Sequence, residues 1–426
     1  MTLSPSTGAN KINEQGVRGA SDVQTSVDRI LTTHVGSLVR TPALVEAHIK
    51  ADLTESLPVD QYQALLAKGV REVVSRQVQV GVDVVDDGEY GKVNWITYLG
   101  ERLGGLESRP ATREMAVANA TFWPEQNRFD DFYRVYGKFE TMQWLPETPS
   151  KARYTGDQAT DYMRVACTGA LTYNPEPLRR DIENLKDALK GHAVTEAFMP
   201  VVAPGSVEMV PNLHYGSVED YLNALADVLN TEYRMIVEAG FVLQVDDAIV
   251  PAQFYYQFRG RPLTDYLQWA EVRIAALNRA LRGIPQDRVR YHICFGSQNM
   301  PHTTDPALAD LIALVLKVNA QGYSIEACNP RHEHEWLIWK DVKLPVGKVL
   351  IPGVISHATN IVEHPELIAL RLKNFASLVG RENVIASSDC GFSQGWNSPR
   401  VHSQIQWAKL EALVEGARLA SRHLWH

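Results

Sequence analysis

Short runs of β-branched and other apolar residues alternate along this chain with longer segments whose apolar positions recur every three or four residues. That alternation predicts parallel strands joined by helices. Eight runs read as strands: Arg29–Thr33, Asp83–Asp87, Phe198–Ala203, Phe241–Asp246, Arg288–Phe295, Tyr323–Ala327, Val349–Val354 and Asn383–Ser388. From Asn223 to Glu238, Leu225, Val228, Leu229, Met235 and Ile236 fall near one helical face. Ser217 and Asp220 form its S/T-x-x-D start, and Gly240 is a natural stop. From His364 to Val379 the pattern places Leu367, Leu370, Phe375 and Leu378 on a face ending at Gly380. Eight strand–helix units over roughly 400 residues predict an α/β fold, a (β/α)8 TIM barrel with insertions.

Two stretches break the pattern. Residues 1–27 are polar, without hydrophobic periodicity, and read as a flexible lead-in to a single domain over 28–426. Residues 108–177, after the second strand, carry Phe122, Trp123, Phe129, Phe132, Tyr133, Tyr136, Phe139 and Trp144 among charges and prolines. This aromatic-rich insertion is either a substrate-covering excursion or a small hairpin subdomain packing its own rings.

Composition narrows the class. The chain has 426 residues and a net charge of −8, which argues against a general nucleic-acid or anionic-membrane binder. It holds no apolar run of 18 residues, and its first residues have no apolar core of a secretory signal. Four cysteines are too few for a disulfide scaffold and fit a reducing cytoplasm.

The placing of those cysteines matters more. His292 and Cys294 are two apart in a strand, so period two sends both to one side. The next strand ends in Glu326 and the last runs into Cys390. In a parallel barrel the C-terminal strand ends share one rim, where active sites lie. Taken alone, H-x-C also describes a satisfied core histidine beside a core cysteine. With the carboxylate and second thiol added, the set points to zinc with an exchangeable position. Cys328 is not expected among the ligands. His34 and His302 read as core or surface histidines, and the His332-Glu-His-Glu-Trp run as a solvated segment.

Seven segments, in order, resemble the catalytic barrel of cobalamin-independent methionine synthase, in the superfamily that includes epoxyalkane:coenzyme M transferase. They are Thr32-Thr-His-Val-Gly-Ser-Leu, Asp86-Asp-Gly-Glu-Tyr-Gly-Lys-Val-Asn, Gln244-Val-Asp-Asp, His292-Ile-Cys, Ile325-Glu, Pro352-Gly-Val-Ile-Ser-His and Ser388-Asp-Cys-Gly-Phe. The resemblance implies His292, Cys294, Glu326 and Cys390 as zinc ligands. It also implies Ser37, Glu89 and Asp246 as holders of the amino-acid part of homocysteine, and His357 as proton donor to the leaving group. Ser37 has a rival reading as a helix cap.

What the resemblance implies for function is zinc-dependent methyl or alkyl transfer, with a zinc-bound thiolate as nucleophile. The partners are then a small-molecule thiol, with homocysteine the first expectation, and a methyl or alkyl donor, with neither nucleic acid nor membrane involved. The alternatives are thiol alkylation of the epoxyalkane:coenzyme M type, a zinc hydrolase and a non-catalytic thiol-sensing protein. Two departures bear on the donor. The family's Arg-Asn-Asp after the glutamate is replaced by Tyr90-Gly91-Lys92-Val93-Asn94, and no tryptophan follows the third strand in Pro200-Val-Val-Ala-Pro-Gly-Ser-Val. The synthase also has a second, N-terminal barrel for which this chain leaves no room.

Overall fold

A computed structural model describes residues 23–53, 56–110, 125, 128–133, 163–297, 299–396 and 399–426. Among the described residues there are ten strands: β1 (Leu31–Thr32), β2 (Val84–Val85), β3 (Leu103–Pro110), β4 (Met163–Tyr173), β5 (Glu196–Val202), β6 (Val242–Asp246), β7 (Val289–His292), β8 (Gly322–Glu326), β9 (Val349–Ile355) and β10 (Ile385–Ser388). Eight of them form one parallel sheet in the order β1-β10-β9-β8-β7-β6-β5-β2. Each of the eight expected runs overlaps one of these strands, and β5, β8 and β9 each reach one or two residues beyond theirs. The β1–β2 seam is bridged by Asp83. Its amide donates to the Thr32 carbonyl at 3.2 Å, and its carboxylate accepts from the Thr32 amide at 2.9 Å. The result is a nearly closed (β/α)8 barrel.

Alternate residues on each strand point inward, and their chemistry changes with height. At the foot, Val23, Leu31, Val84, Phe198, Val242, Val349, Ile351 and Ile385 form a separate apolar cluster. One step up, Arg290 lies with its guanidinium 4.2 Å from the centre of the Phe198 ring and donates to Thr33 Oγ1 at 3.1 Å. A further step along β6 and β7 reaches Asp246 and His292, which are paired in register. Burying Arg290 is costly unless its donors are met; here it separates the oily foot from a polar rim.

Val23 is part of that foot, and its amide donates to the Asp287 carbonyl. Ser26 Oγ donates to the Val384 carbonyl at 2.6 Å. The chain is therefore docked from Val23 onward, where the sequence predicts a flexible lead-in; residues 1–22 lie outside the described residues.

The insertion rises from an antiparallel hairpin, β3 with β4, paired from Leu103↔Tyr173 to Pro110↔Met163. Phe132 and Tyr133 meet edge to face at 5.0 Å, and Thr303 Oγ1 of the rim donates to Glu125 at 2.7 Å. Phe122, Trp123, Tyr136, Phe139 and Trp144 lie outside the described residues.

Helix Val218–Glu238 begins where expected, with Ser217 Oγ accepting from the Asp220 amide at 3.0 Å, and Gly240 follows it at φ +99°. Helix Pro365–Val379 is turned from its expected face. It buries Ile368, Ala369, Leu372, Phe375 and Ala376, while Leu367 and Leu370 are exposed. The cause is the small residue opposite. Gly416, in helix Ser403–Trp425, approaches so closely that an added Cβ would stand 2.5 Å from Ile368. An alanine-containing face fits that approach better than a leucine one. No helix among the described residues is long and apolar enough to cross a membrane.

Candidate metal and substrate site

β7 ends at His292, and Cys294 lies one two-residue step beyond it. Cys390 comes from the far side of the chain, past the end of β10. Simple alternation from the inward Ile385 would aim Asp389 rather than Cys390 at the barrel axis. The register between β10 and β9 shifts between Ser387 and Ser388, and a bulge of this kind resets the alternation. β9 makes room with a glycine: a Cβ on Gly353 would stand 2.5 Å from the Asp389 backbone nitrogen. The outcome is a buried set, His292, Cys294 and Cys390, whose ligand atoms all lie within 4.8 Å of one another.

His292 is oriented from behind, its Nδ1 hydrogen-bonded to Ser324 Oγ at 3.2 Å. Its buried Nε2 faces the Cys390 sulfur and has no nitrogen or oxygen partner among the described residues. Such an atom costs stability unless something binds it. Glu326, at the end of β8, stands beside this set rather than in it. Its Oε1 accepts from the Phe295 amide at 3.0 Å and its Oε2 from Asn329 at 3.1 Å.

Negative charge crowds this rim. Hydrogen bonds from Cys294 and from His292 push the Cys390 thiol well below its usual range, despite burial. The same sharing with Cys390, together with burial, pushes Cys294 well up. Burial, then the charges of Asp389 and Cys390, raise the Glu326 carboxyl to about 8. One nitrogen and two sulfurs with surplus negative potential fit a soft divalent cation, and that donor set is the one zinc favours.

His357 lies after β9. Both ring nitrogens are buried with no hydrogen-bond partner among the described residues. Burial, aided by the positive charge of Arg400, lowers it to about 4 against the pull of Cys390, so the imidazole is neutral.

Across the rim, Ser37 Oγ donates to the Ser393 carbonyl and accepts from Arg40 at 2.9 Å. It caps no helix; Thr41 does that for Pro42–His48. Glu89 has a left-handed backbone, φ +58°, and its Oε1 accepts from Lys92 at 2.7 Å. Asp246 accepts from Gln244 at 2.9 Å, and desolvation, with Glu89 adding to it, holds its carboxyl at about 7. Arg40 donates to Ser37 Oγ and to the carbonyls of Glu89 and Lys92, tying this side together.

Neither Arg40 nor Lys92 stands out from the sequence as a site residue. The i, i+3 spacing of Glu89 and Lys92 is visible; Arg40 has no signal. The His332 segment is also corrected. It is solvated on one side only: His334 is exposed, but His332 and Glu335 are buried, and the His332 ring stacks on Phe295 at 3.7 Å. His332 bonds Glu335 at 2.7 Å and Asp305 at 3.1 Å, and His302 bonds the same Asp305 oxygen at 2.9 Å. Pairing with carboxylates is what makes that burial tolerable. His34 is a core residue bonded to Gln77 at 2.8 Å, and Cys328 lies outside the three-residue set, donating to Asp389 at 3.0 Å.

The family of the cobalamin-independent synthase catalytic domain matches residues 30–120. A methionine synthase of Sulfurisphaera tokodaii is 25% identical, the match covering 92% of this chain and 93% of that protein. A 5-methyltetrahydropteroyltriglutamate–homocysteine methyltransferase of Xylella fastidiosa is 22% identical over 91% of this chain but only 42% of its own length. Among solved structures, a B12-independent methionine synthase from Shewanella, in complex with selenomethionine, has the same fold. Its TM-score is 0.65 at 19% identity, covering 93% of this chain and 99% of that one. With the motifs in family order and the barrel that carries them, the chain is similar to the cobalamin-independent methionine synthases along nearly its whole length.

Proposed function

We propose that this chain transfers a methyl group to the thiol of homocysteine, with residues 28–426 acting as one catalytic domain. The observation that carries the reading is the convergence of His292, Cys294 and Cys390 at the C-terminal rim within 4.8 Å. Relatives named as homocysteine methyltransferases and methionine synthases support the same reaction class. Zinc held by those three residues, with Glu326 as the neighbouring carboxylate, would present an incoming thiol as its thiolate near neutral pH.

The protein's own groups do the rest. Glu89 and Asp246 offer carboxylates to the substrate ammonium, and Ser37, fixed by Arg40, marks the same end of the pocket. His357, neutral and without a hydrogen-bond partner among the described residues, is available beside Cys390 to hydrogen-bond the departing group of the methyl carrier. The buried rim keeps water from the nucleophile. Two cysteines in the set count against a hydrolase, whose metal usually takes histidine and carboxylate.

The test is to load the protein with cobalt and record its visible spectrum while adding homocysteine, then coenzyme M. A thiolate-to-cobalt band that grows with homocysteine supports the proposal. Growth with coenzyme M alone reassigns the site to alkyl transfer onto that thiol. No change with either thiol at full metal occupancy overturns thiol transfer and turns attention to hydrolysis.

A further inference from the structure

We infer that Lys92 is a positioning residue that sets the acceptor selectivity of this site by presenting Glu89 to an ammonium group, an inference that rests on the homocysteine reading above. Lys92 is 6% exposed, and a buried ammonium is costly unless its donors are satisfied. Here they are. Nζ donates to Glu89 Oε1 at 2.7 Å and to the Pro200 carbonyl at 2.6 Å, and lies 4.5 Å from the centre of the Tyr98 ring. A cation so saturated has little left to offer a ligand of its own, so its effect passes through Glu89.

Nearly every other polar group of Glu89 is engaged. Its amide donates to Asp87 Oδ1 at 2.8 Å, its carbonyl accepts from Arg40, and its Oε1 is taken by Lys92. Oε2 alone has no hydrogen-bond partner among the described residues. The left-handed backbone at φ +58° is unusual for a residue with a side chain, and such conformations persist where the surroundings over-determine them. A carboxylate pinned through one oxygen with the other left over is a preorganised acceptor for a cation. Lys92 also offsets the repulsion between Glu89 and Asp246, which lets two carboxylates serve one ammonium.

The experiment is calorimetric binding of homocysteine and of its des-amino analogue, 4-sulfanylbutanoate, to the metal-loaded wild type, Lys92→Met and Lys92→Arg, with thermal melting as the fold check. The wild type is expected to prefer homocysteine by about 10- to 100-fold, the worth of one charge-assisted hydrogen bond. Lys92→Met should bring the two thiols to within a few-fold of each other by weakening homocysteine alone, and Lys92→Arg should restore most of the preference. If Lys92→Met does not melt cooperatively, Lys92→Gln carries the same comparison. Equal weakening of both thiols, or an unchanged preference, overturns the role of Lys92 and leaves the homocysteine reading standing. A wild type that binds neither thiol overturns both.

Discussion

Two histidine clusters stand side by side on this rim, and they are finished differently. In the outer one, both nitrogens of His332 are bonded, to Glu335 and Asp305, and Asp305 also takes His302. In the inner one, Nε2 of His292 and both nitrogens of His357 are buried without a nitrogen or oxygen hydrogen-bond partner among the described residues. Buried polar atoms are nearly always satisfied, so the outer cluster is complete in itself and the inner one is left open to a ligand. The two are joined: His332 stacks on Phe295, whose amide holds Glu326. The closed cluster is the wall against which the open one is built.

The strongest way to break this comparison is to remove a donor from each side. Cys294→Ser or Cys390→Ser should abolish stoichiometric metal and lower thiol methylation by more than the roughly 100-fold that loss of an outer supporting partner costs. The protein should still fold, because the apolar foot is untouched. Metal analysis with circular dichroism checks both halves, and a Cys390→Ser protein with full metal and activity would remove the inner cluster from the mechanism. His332→Asn should do the reverse. It leaves Glu335 buried without its cation and Asp305 with His302 alone, a loss of about 3–5 kcal/mol for a broken buried pair. Urea unfolding measures it, and the folded fraction should keep its metal.

How much of this was legible beforehand depends on what kind of signal each residue carries. The eight barrel strands were readable because strands buried on both faces need unbroken apolar runs. The pairing of His292 with Cys294 followed from a spacing of two. Cys390 did not follow from alternation, because the bulge at Ser387/Ser388 is a backbone event without a side-chain signature; its place just past the last strand, on the shared rim, pointed to it. His332-Glu-His-Glu looks solvated because it is dense in charge, and Asp305, which neutralises His332, is 27 residues earlier. Lys92 is fixed partly by the Pro200 carbonyl, 108 residues away and silent in composition. Leu367 and Leu370 outweighed two alanines in the helical pattern, although the alanines face the core.

The outer cluster also sets a pH dependence. Burial alone would lower the His332 pKa, but its hydrogen bonds to the Asp305 and Glu335 carboxylates outweigh it and raise the group to about 9. A raised folded-state value means stabilisation that is complete below the unfolded value of about 6.5 and lost as pH climbs through about 9. The full difference corresponds to about 3 kcal/mol by linkage. Urea midpoints should therefore fall between pH 6.5 and 9.5 in the wild type and stay flatter in His332→Asn. Parallel slopes in the two proteins would show that His332 is not the group responsible.

The smallest change tests how the inner cluster is assembled. Gly353→Ala adds one methyl group where β9 meets the end of β10, 2.5 Å from the Asp389 backbone nitrogen. A side chain could rotate away, but a backbone atom cannot, so the strand end must move. That movement strains the 2.9 Å bond from the Asp389 amide to the Ile355 carbonyl, and Cys390 is the next residue along. Overpacking of this kind costs about 1–3 kcal/mol. If the bulge exists to aim Cys390, metal affinity should fall by about tenfold or more, because a displaced sulfur no longer meets His292 and Cys294 together. Competitive titration with a chromophoric chelator reads that change directly. Loss of stability with unchanged affinity would mean that the close approach of β9 and β10 serves the barrel alone, and that Cys390 reaches the set by its own rotamer.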